Sequence, residues 1–317
     1  MAGSYLANLI QNKFDFVIYD GWKRRGCRCG WGSSKSLLDK KLKTIGLDLY
    51  SYYLCSPDWL LLNGLRFRVS NGIMFDKGKM LRDMTKGIEV IPRYVDLHKD
   101  NVRADVVVNA TGKPLIRAEA SYTVQWKADL EGAEKKAFYI WWDPKRIGYG
   151  WMAPLDEEGK VFHVGAGSLF GSIEAVSLTK EMLAGYSLRI QRVYCGCEKK
   201  LDFGLNLPVF NGNIVSVGEA VGCVHPITGE GILPSMRSAE LLAESLGENG
   251  FPMNYMFKIE EVLKEYSEAF QALELLKKHR RRGMIKIAKV MAERVKKRTQ
   301  PQVNRIGQLK ALMKFLK

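Results

Sequence analysis

Residues 212–232, GNIVSVGEAVGCVHPITGEGI, constrain this chain more than any other stretch. The run 214–217 is short and apolar, the mark of a buried strand, and Gly218 and Glu219 end it. Pro226, Gly229 and Gly231 then form a loop, and over 232–246 apolar residues recur at helical spacing. The order is strand, acid, glycine loop, helix. A helix that starts on Gly-x-Gly presents backbone N–H groups and the positive end of its dipole to whatever sits in the loop. A carboxylate beside it can accept hydrogen bonds from a polyol. The set suits a cofactor that carries phosphate and a ribityl chain, and does not suit a metal ion. The same order also describes an ordinary βα turn whose glycines serve only tight geometry.

The stretch 104–112, ADVVVNATG, repeats part of this logic. A short apolar strand ends in Asn-Ala-Thr-Gly, and Gly112 removes a side chain that would keep a dinucleotide at a distance. At the N-terminus, 5–10 reads as a helix already under way behind Met1-Ala2-Gly3-Ser4, and 14–19 reads as a strand ending in Asp20. A dinucleotide site needs strand, G-x-G-x-x-G, helix, strand and an acid about 20 residues on. The last glycine (Gly3), its helix and the acid (Asp20) are present, whereas the first strand and the two earlier glycines are not in the sequence. Asp20 is therefore either the ribose ligand or a plain strand end.

Between these signals lies a Gly/Cys-rich basic loop, 22–34, WKRRGCRCGWGSS. Its Arg24, Arg25 and Arg28 favour a thiolate at Cys29; otherwise only the glycines matter. A helix is expected over 35–49, short strands within 54–73, a helix over 74–85 and a strand over 88–94. From 118 to 168 the texture changes to alternating, aromatic-rich segments: SYTVQW, AFYIWW, GYGWMAPL and VFHVGAG. Period-two alternation indicates an antiparallel sheet with unlike faces. Such an aromatic wall suits a long apolar substrate, although each aromatic taken singly reads as core. Helices are expected over 178–190 and 251–276, with 193–209 leading back to the first stretch.

Charge is placed unevenly. Residues 277–317 hold 15 Lys/Arg and one acid, Glu293, against a net charge of +15 for the whole chain, so the body is almost neutral. The basic tail alternates cations with apolar residues, which fits a peripheral helix on an anionic membrane surface or a solvated terminal helix. Nucleic-acid binding ranks last because no recognition fold accompanies the charge. No run is long and apolar enough to span a membrane and no signal peptide is evident, so a cytoplasmic location is expected, peripheral attachment to a membrane aside. Two Cys-x-Cys pairs, Cys27/Cys29 and Cys195/Cys197, have the wrong spacing for structural zinc. Reduced thiols are expected for all of these but Cys29.

The motifs also carry a resemblance. GEAVGCVHPITGEGI resembles the second flavin-contacting motif of the FAD-dependent family that includes p-hydroxybenzoate hydroxylase and the geranylgeranyl reductases. Gly218, Ala220, Pro226, Gly229, Gly231 and Ile232 match, and Glu219 stands where Asp is usual. Ala2-Gly3-Ser4 resembles the end of that family's Gly-x-Gly-Pro-Ala-Gly-Ser, which implies a strand and turn upstream of Met1. Cys29-Gly30-Trp31-Gly32 resembles a loop that lies against the isoalloxazine ring, Lys77 falls at a cofactor-reaching Arg, and Val95 at the adenine-contacting turn. Ala110 and Gly112 match the family's Ala-Thr-Gly turn. The segment 148–154 resembles the Tyr-x-Trp-x-Phe-Pro segment that lines the prenyl cavity, with Tyr149, Trp151 and Pro154 matching and Ala153 replacing Phe.

The resemblance covers 1–246 in collinear order and implies an α/β (overall α+β) chain. A three-layer FAD domain would comprise 1–53, 74–117 and 210–248; an antiparallel substrate sheet 54–73 and 118–209; and basic helices 249–317. It implies an FAD-dependent reductase that saturates isoprenoid double bonds, as in archaeal-type membrane lipids, with a separate electron donor. Cys29 or water would supply the proton. A flavin monooxygenase of the same fold and a non-catalytic lipid-binding paralogue are the alternatives.

Overall fold

Alternation between 119 and 203 builds the largest sheet of the molecule, and the glycine-punctuated segments on either side build three small ones. The computed structural model describes residues 1–21, 31–100, 102–116, 119–143, 146–203, 209–247, 252–279, 281–287 and 289–290. The first half contains α1 (Ala2–Ile10), β1 (Ile18–Tyr19), β2 (Gly32–Ser34), α2 (Lys35–Lys43), β3 (Tyr53–Cys55), β4 (Trp59–Leu62), β5 (Leu65–Arg68), β6 (Gly72–Phe75), α3 (Lys77–Met84), β7 (Val90–Ile91) and β8 (Val107–Asn109). The second half contains β9 (Glu119–Glu131), β10 (Ala137–Asp143), β11 (Gly148–Pro154), β12 (Val161–Ser168), α4 (Ser172–Gly185), β13 (Arg189–Phe203), β14 (Phe210–Asn211), β15 (Ile214–Ser216), α5 (Ile232–Ser245) and α6 (Tyr255–Lys278).

The large sheet has the order β13-β9-β12-β11-β10-β4-β5. Every neighbouring pair is antiparallel except β10 and β4, which run parallel, so the sheet is not wholly of one kind. β4 and β5 form a hairpin through Asn63 and Gly64, both at positive φ, as a two-residue turn of matching twist requires. On one face Met152, Phe162, Val164 and Ala166 pack beneath α4 through Leu178 and Met182. The residues between them in sequence point to the opposite face, which forms a cavity wall.

The small sheets pair β1 with β7 in parallel, β8 with β15 in parallel and β14 antiparallel to β15, and flank β6 with β2 and β3. Beneath them α1 packs against α5, and Tyr5, Leu38, Phe75, Met80, Val215 and Leu242 share one core. The Tyr5 hydroxyl lies 2.8 Å from Thr44 Oγ1 and 3.0 Å from Glu240, tying α1 to the end of α2 and to α5. Burial and the neighbouring carboxylate raise its pKa to about 12, so it stays protonated as a donor.

Several boundaries differ from the sequence expectation. Met74 and Phe75 are strand, not helix, because Asp76 accepts from the Lys79 amide at 2.8 Å and starts α3 one residue later. The helix expected over 178–190 is α4, which ends at Gly185, and β-branched and aromatic residues carry the chain into β13 from Arg189. The strands expected over 14–19 and 88–94 shrink to two residues each. Cys195 is disulfide-bonded, so its thiol is not reduced as expected. It follows a register shift in the edge strand β13, at the surface of the sheet. Cys55 and Cys223 are buried free thiols whose pKa values burial raises to about 12.

Candidate cofactor and substrate cleft

One cleft of about 3230 Å³ separates the small sheets from the cavity wall of the large one. Ala2, Gly3, Asp20, Gly32, Lys77, Val95, Ala110, Gly112, Glu219, Pro226, Gly229, Gly231 and Ile232 all line it, as do Tyr149 and Trp151. Cys29 and Gly30 lie outside the described residues. Gly218 sits beside the cleft as a packing joint: its N–H donates to Ser238 Oγ at 2.9 Å, and a Cβ there would stand 2.7 Å from the Ala2 methyl. Pro154 is a correction. It pairs with Phe162 on the α4 side of the sheet, so the alternation that brings Tyr149 and Trp151 to the cleft turns Pro154 away.

Two helix N-termini open into the cleft. The amides of Ala2, Gly3 and Ser4 in α1, and of Ile232 and Leu233 in α5, have no partner among the described residues. Neither helix has a side-chain cap, and neither carries an acid in its first turn. Free donors at two helix N-termini that line one cleft favour an anion there. Gly3 keeps the space clear, since a Cβ there would approach the Ala110 methyl to 2.9 Å. The turn at Ala110 is held by Asn109, whose side chain donates to the Lys113 carbonyl at 2.9 Å and accepts from Thr111 Oγ1 at 2.8 Å.

The loop ahead of α5 is fixed from inside. His225 is buried, and its Nδ1 accepts from the amides of Ile227 and Thr228 at 3.3 and 3.2 Å while its carbonyl accepts from Gly229. Glu219 lies in a short 3-10 turn after β15, with its carboxylate over Gly112. Lys199, on β13 of the large sheet, forms an ion pair with it. Burial raises the Glu219 pKa above the ordinary carboxylate value, against the opposing pull of Lys199 and Lys77. The expected polyol ligand is thus already engaged with a cation.

The cavity wall is aromatic where strands β10 and β11 cross it. Tyr149 stacks on Trp142 and lies 5.7 Å from the Trp151 ring. The Trp151 ring covers Gly165 and Gly167, where a Cβ would meet it at 2.9 and 3.9 Å. Farther along, Trp31 meets His163 edge-on at 4.4 Å. His163 is 1 % exposed, and burial with Lys127 and Lys77 nearby lowers its pKa to about 3, so the imidazole is neutral. Sequence alone points to neither Lys199 nor His163. Lys199 sits in an EKK run indistinguishable from a solvated edge, and His163 is one residue of an alternating strand.

No family model matches the sequence. A menaquinone reductase from Mycolicibacterium smegmatis is 29 % identical over 145 residues, which are 43 % of this chain and 32 % of that protein, so the match spans about a third of that protein. A geranylgeranyl bacteriochlorophyll reductase-like protein from Thermoplasma acidophilum superposes with a TM-score of 0.67 at 18 % identity, over 98 % of this chain and 92 % of that one. A probable FAD-dependent monooxygenase from Pseudomonas aeruginosa gives 0.61 at 15 %, over 92 % and 96 %. A flavin-dependent halogenase from Xanthomonas campestris gives 0.63 at 11 %, over 87 % and 74 %. The chain therefore has the mixed α/β fold of the FAD-dependent flavoproteins, an architecture shared by reductase-like proteins, monooxygenases and halogenases.

Proposed function

We propose that this chain is an FAD-dependent reductase that saturates double bonds of isoprenoid chains. The observation that carries the reading is one continuous cleft with two unlike walls: backbone donors and glycines on one side, an aromatic sheet face on the other. The donor wall fits the cofactor. The α1 and α5 N-termini would hold its diphosphate, Asp20 its ribose, and the Gly112 turn with Glu219 and Lys199 its ribityl chain. When bound, FAD supplies hydride to one carbon of the alkene. Trp142, Tyr149 and Trp151 orient an apolar chain and exclude water from it. The Tyr149 hydroxyl donates to the Thr228 carbonyl, and burial holds its pKa well above the ordinary tyrosine value, so it is not the proton source. Cys29 or water fills that role. The menaquinone reductase relative supports a prenylated substrate, and the basic segment 277–317 would rest on anionic lipid.

The test is titration of the purified protein with FAD, followed by chemical reduction under anaerobic conditions and addition of a tetraprenyl substrate. A product heavier by two hydrogens per reduced bond supports the reading. A hydroxylated product formed only with oxygen would assign the chain to the monooxygenases instead. Protein that takes up no flavin would be a non-catalytic lipid-binding relative.

A further inference from the structure

The cavity wall of the large sheet is itself divided. Over β5, β4 and β10 it is apolar, with Phe67, Leu60, Leu62, Phe138 and Ile140 facing the cleft. Over β9 and β12 it is polar, with Ser121, Thr123, Gln125 and His163. Strands lie about 4.8 Å apart, so the distance from β12 across β11, β10 and β4 to β5 is about 19 Å. An extended prenyl chain of several units fits that lane, with one end beside the polar strip.

Within the strip His163 is unusual. It is 1 % exposed, and its Nε2 has no hydrogen-bond partner among the described residues. A buried ring nitrogen left unpaired is uncommon in native structures unless a ligand or water completes it. Trp31 closes one side of the ring at 4.4 Å. Burial, with a smaller electrostatic push from Lys127 and Lys77, keeps the imidazole neutral. An imidazole N–H at this nitrogen can donate to a carbonyl oxygen.

We propose that His163 anchors the substrate's head group by a hydrogen bond to a ring carbonyl, so that the substrate is a prenylated quinone and not a bare prenyl chain. This rests on the reductase reading. It adds that the head lies at β12 beside Trp31 and the tail runs toward β5, a placement that selects which double bonds reach the reacting ring.

The experiment is equilibrium binding to the FAD-loaded protein, read by tryptophan fluorescence, in detergent micelles. The probes are a tetraprenyl naphthoquinone, the same tail as a hydrocarbon, and geranylgeranyl diphosphate. His163→Phe is expected to weaken the quinone about tenfold, the worth of one hydrogen bond, and to leave the hydrocarbon unchanged. His163→Gln, which keeps a donor, is expected to restore most of the quinone affinity. Equal losses for quinone and hydrocarbon would make His163 a packing residue and overturn the proposal. A loss confined to the diphosphate would overturn it too, by assigning the anchor to phosphate. If the wild-type protein binds flavin but none of the three probes, the reductase reading fails together with the anchor; if it binds them without discrimination by His163, only the anchor fails.

Discussion

The hydroxyl of Tyr149 donates to the backbone carbonyl of Thr228, and that bond joins the cavity wall of the large sheet to the loop ahead of α5. Gly229, at φ +66, is the next residue, and a Cβ there would come within 2.9 Å of the same hydroxyl. Tyr149→Phe removes the bond and is expected to cost about 1 kcal/mol. Gly229→Ala is expected to cost about 1–2 kcal/mol from the left-handed backbone, plus the contact with the hydroxyl. The double variant should cost less than the sum, because removing the Tyr149 hydroxyl relieves that contact. Urea unfolding of the four proteins measures the coupling, and strict additivity would show that the two residues do not meet.

Lys199 and Glu219 make the second link between the two walls. The Glu219 pKa is raised in the folded state, so the folded protein holds a proton that the unfolded chain releases. Stability from this group is full at low pH and declines as pH rises from the unfolded value through the folded one. Lys199→Met removes an opposing charge and raises the folded pKa further. The variant's unfolding midpoint should therefore fall more steeply than the wild type's as pH rises above the ordinary glutamate range. Parallel pH profiles would refute the pairing.

His163 titrates in the opposite sense. Its pKa falls from 6.5 to about 3 on folding, so its contribution is full above pH 6.5 and is lost as pH falls toward 3. His163→Gln should remove part of the acid sensitivity in that window. An unchanged acid limb of the stability curve would mean that the imidazole is not buried as described.

Gly3 is expected to matter for cofactor binding more than for folding. Gly3→Val would place a branched side chain against the Ala110 methyl, where even a Cβ stands at 2.9 Å. The expected result is a loss of FAD affinity of about tenfold or more, with circular dichroism close to wild type, measured by flavin titration. Retained affinity would remove the α1 N-terminus from the site.

Trp151→Ala should act on the other wall. The ring packs over Gly165 and Gly167, and its loss opens the apolar lane without touching the glycine loops. FAD affinity is expected to stay, while KM for a prenyl substrate rises about tenfold or more. A fall in FAD affinity instead would place Trp151 in the cofactor site.

Much of this cleft is legible in the sequence because its parts are local. Gly112, Gly229 and Gly231 each announce a turn, and the alternation through Tyr149 and Trp151 announces a wall. Motif adjacency misplaces Pro154 because it ignores the strand's period: residues 149, 151 and 153 share a face that 154 does not. Lys199 and His163 cannot be found that way. Their roles depend on pairing between β13, β9 and β12, which brings together residues far apart in sequence, and neither occupies a distinctive local pattern.

The most direct test of the account is a single anaerobic turnover. Chemically reduced, FAD-loaded protein is mixed with a tetraprenyl naphthoquinone, and the flavin absorbance and the mass of the prenyl tail are followed together. The account predicts flavin reoxidation coupled one-to-one to a gain of two hydrogens in the tail. Reoxidation with an unchanged tail would contradict it, because the electrons would then have gone to the quinone ring or elsewhere and not to the chain held against the aromatic wall.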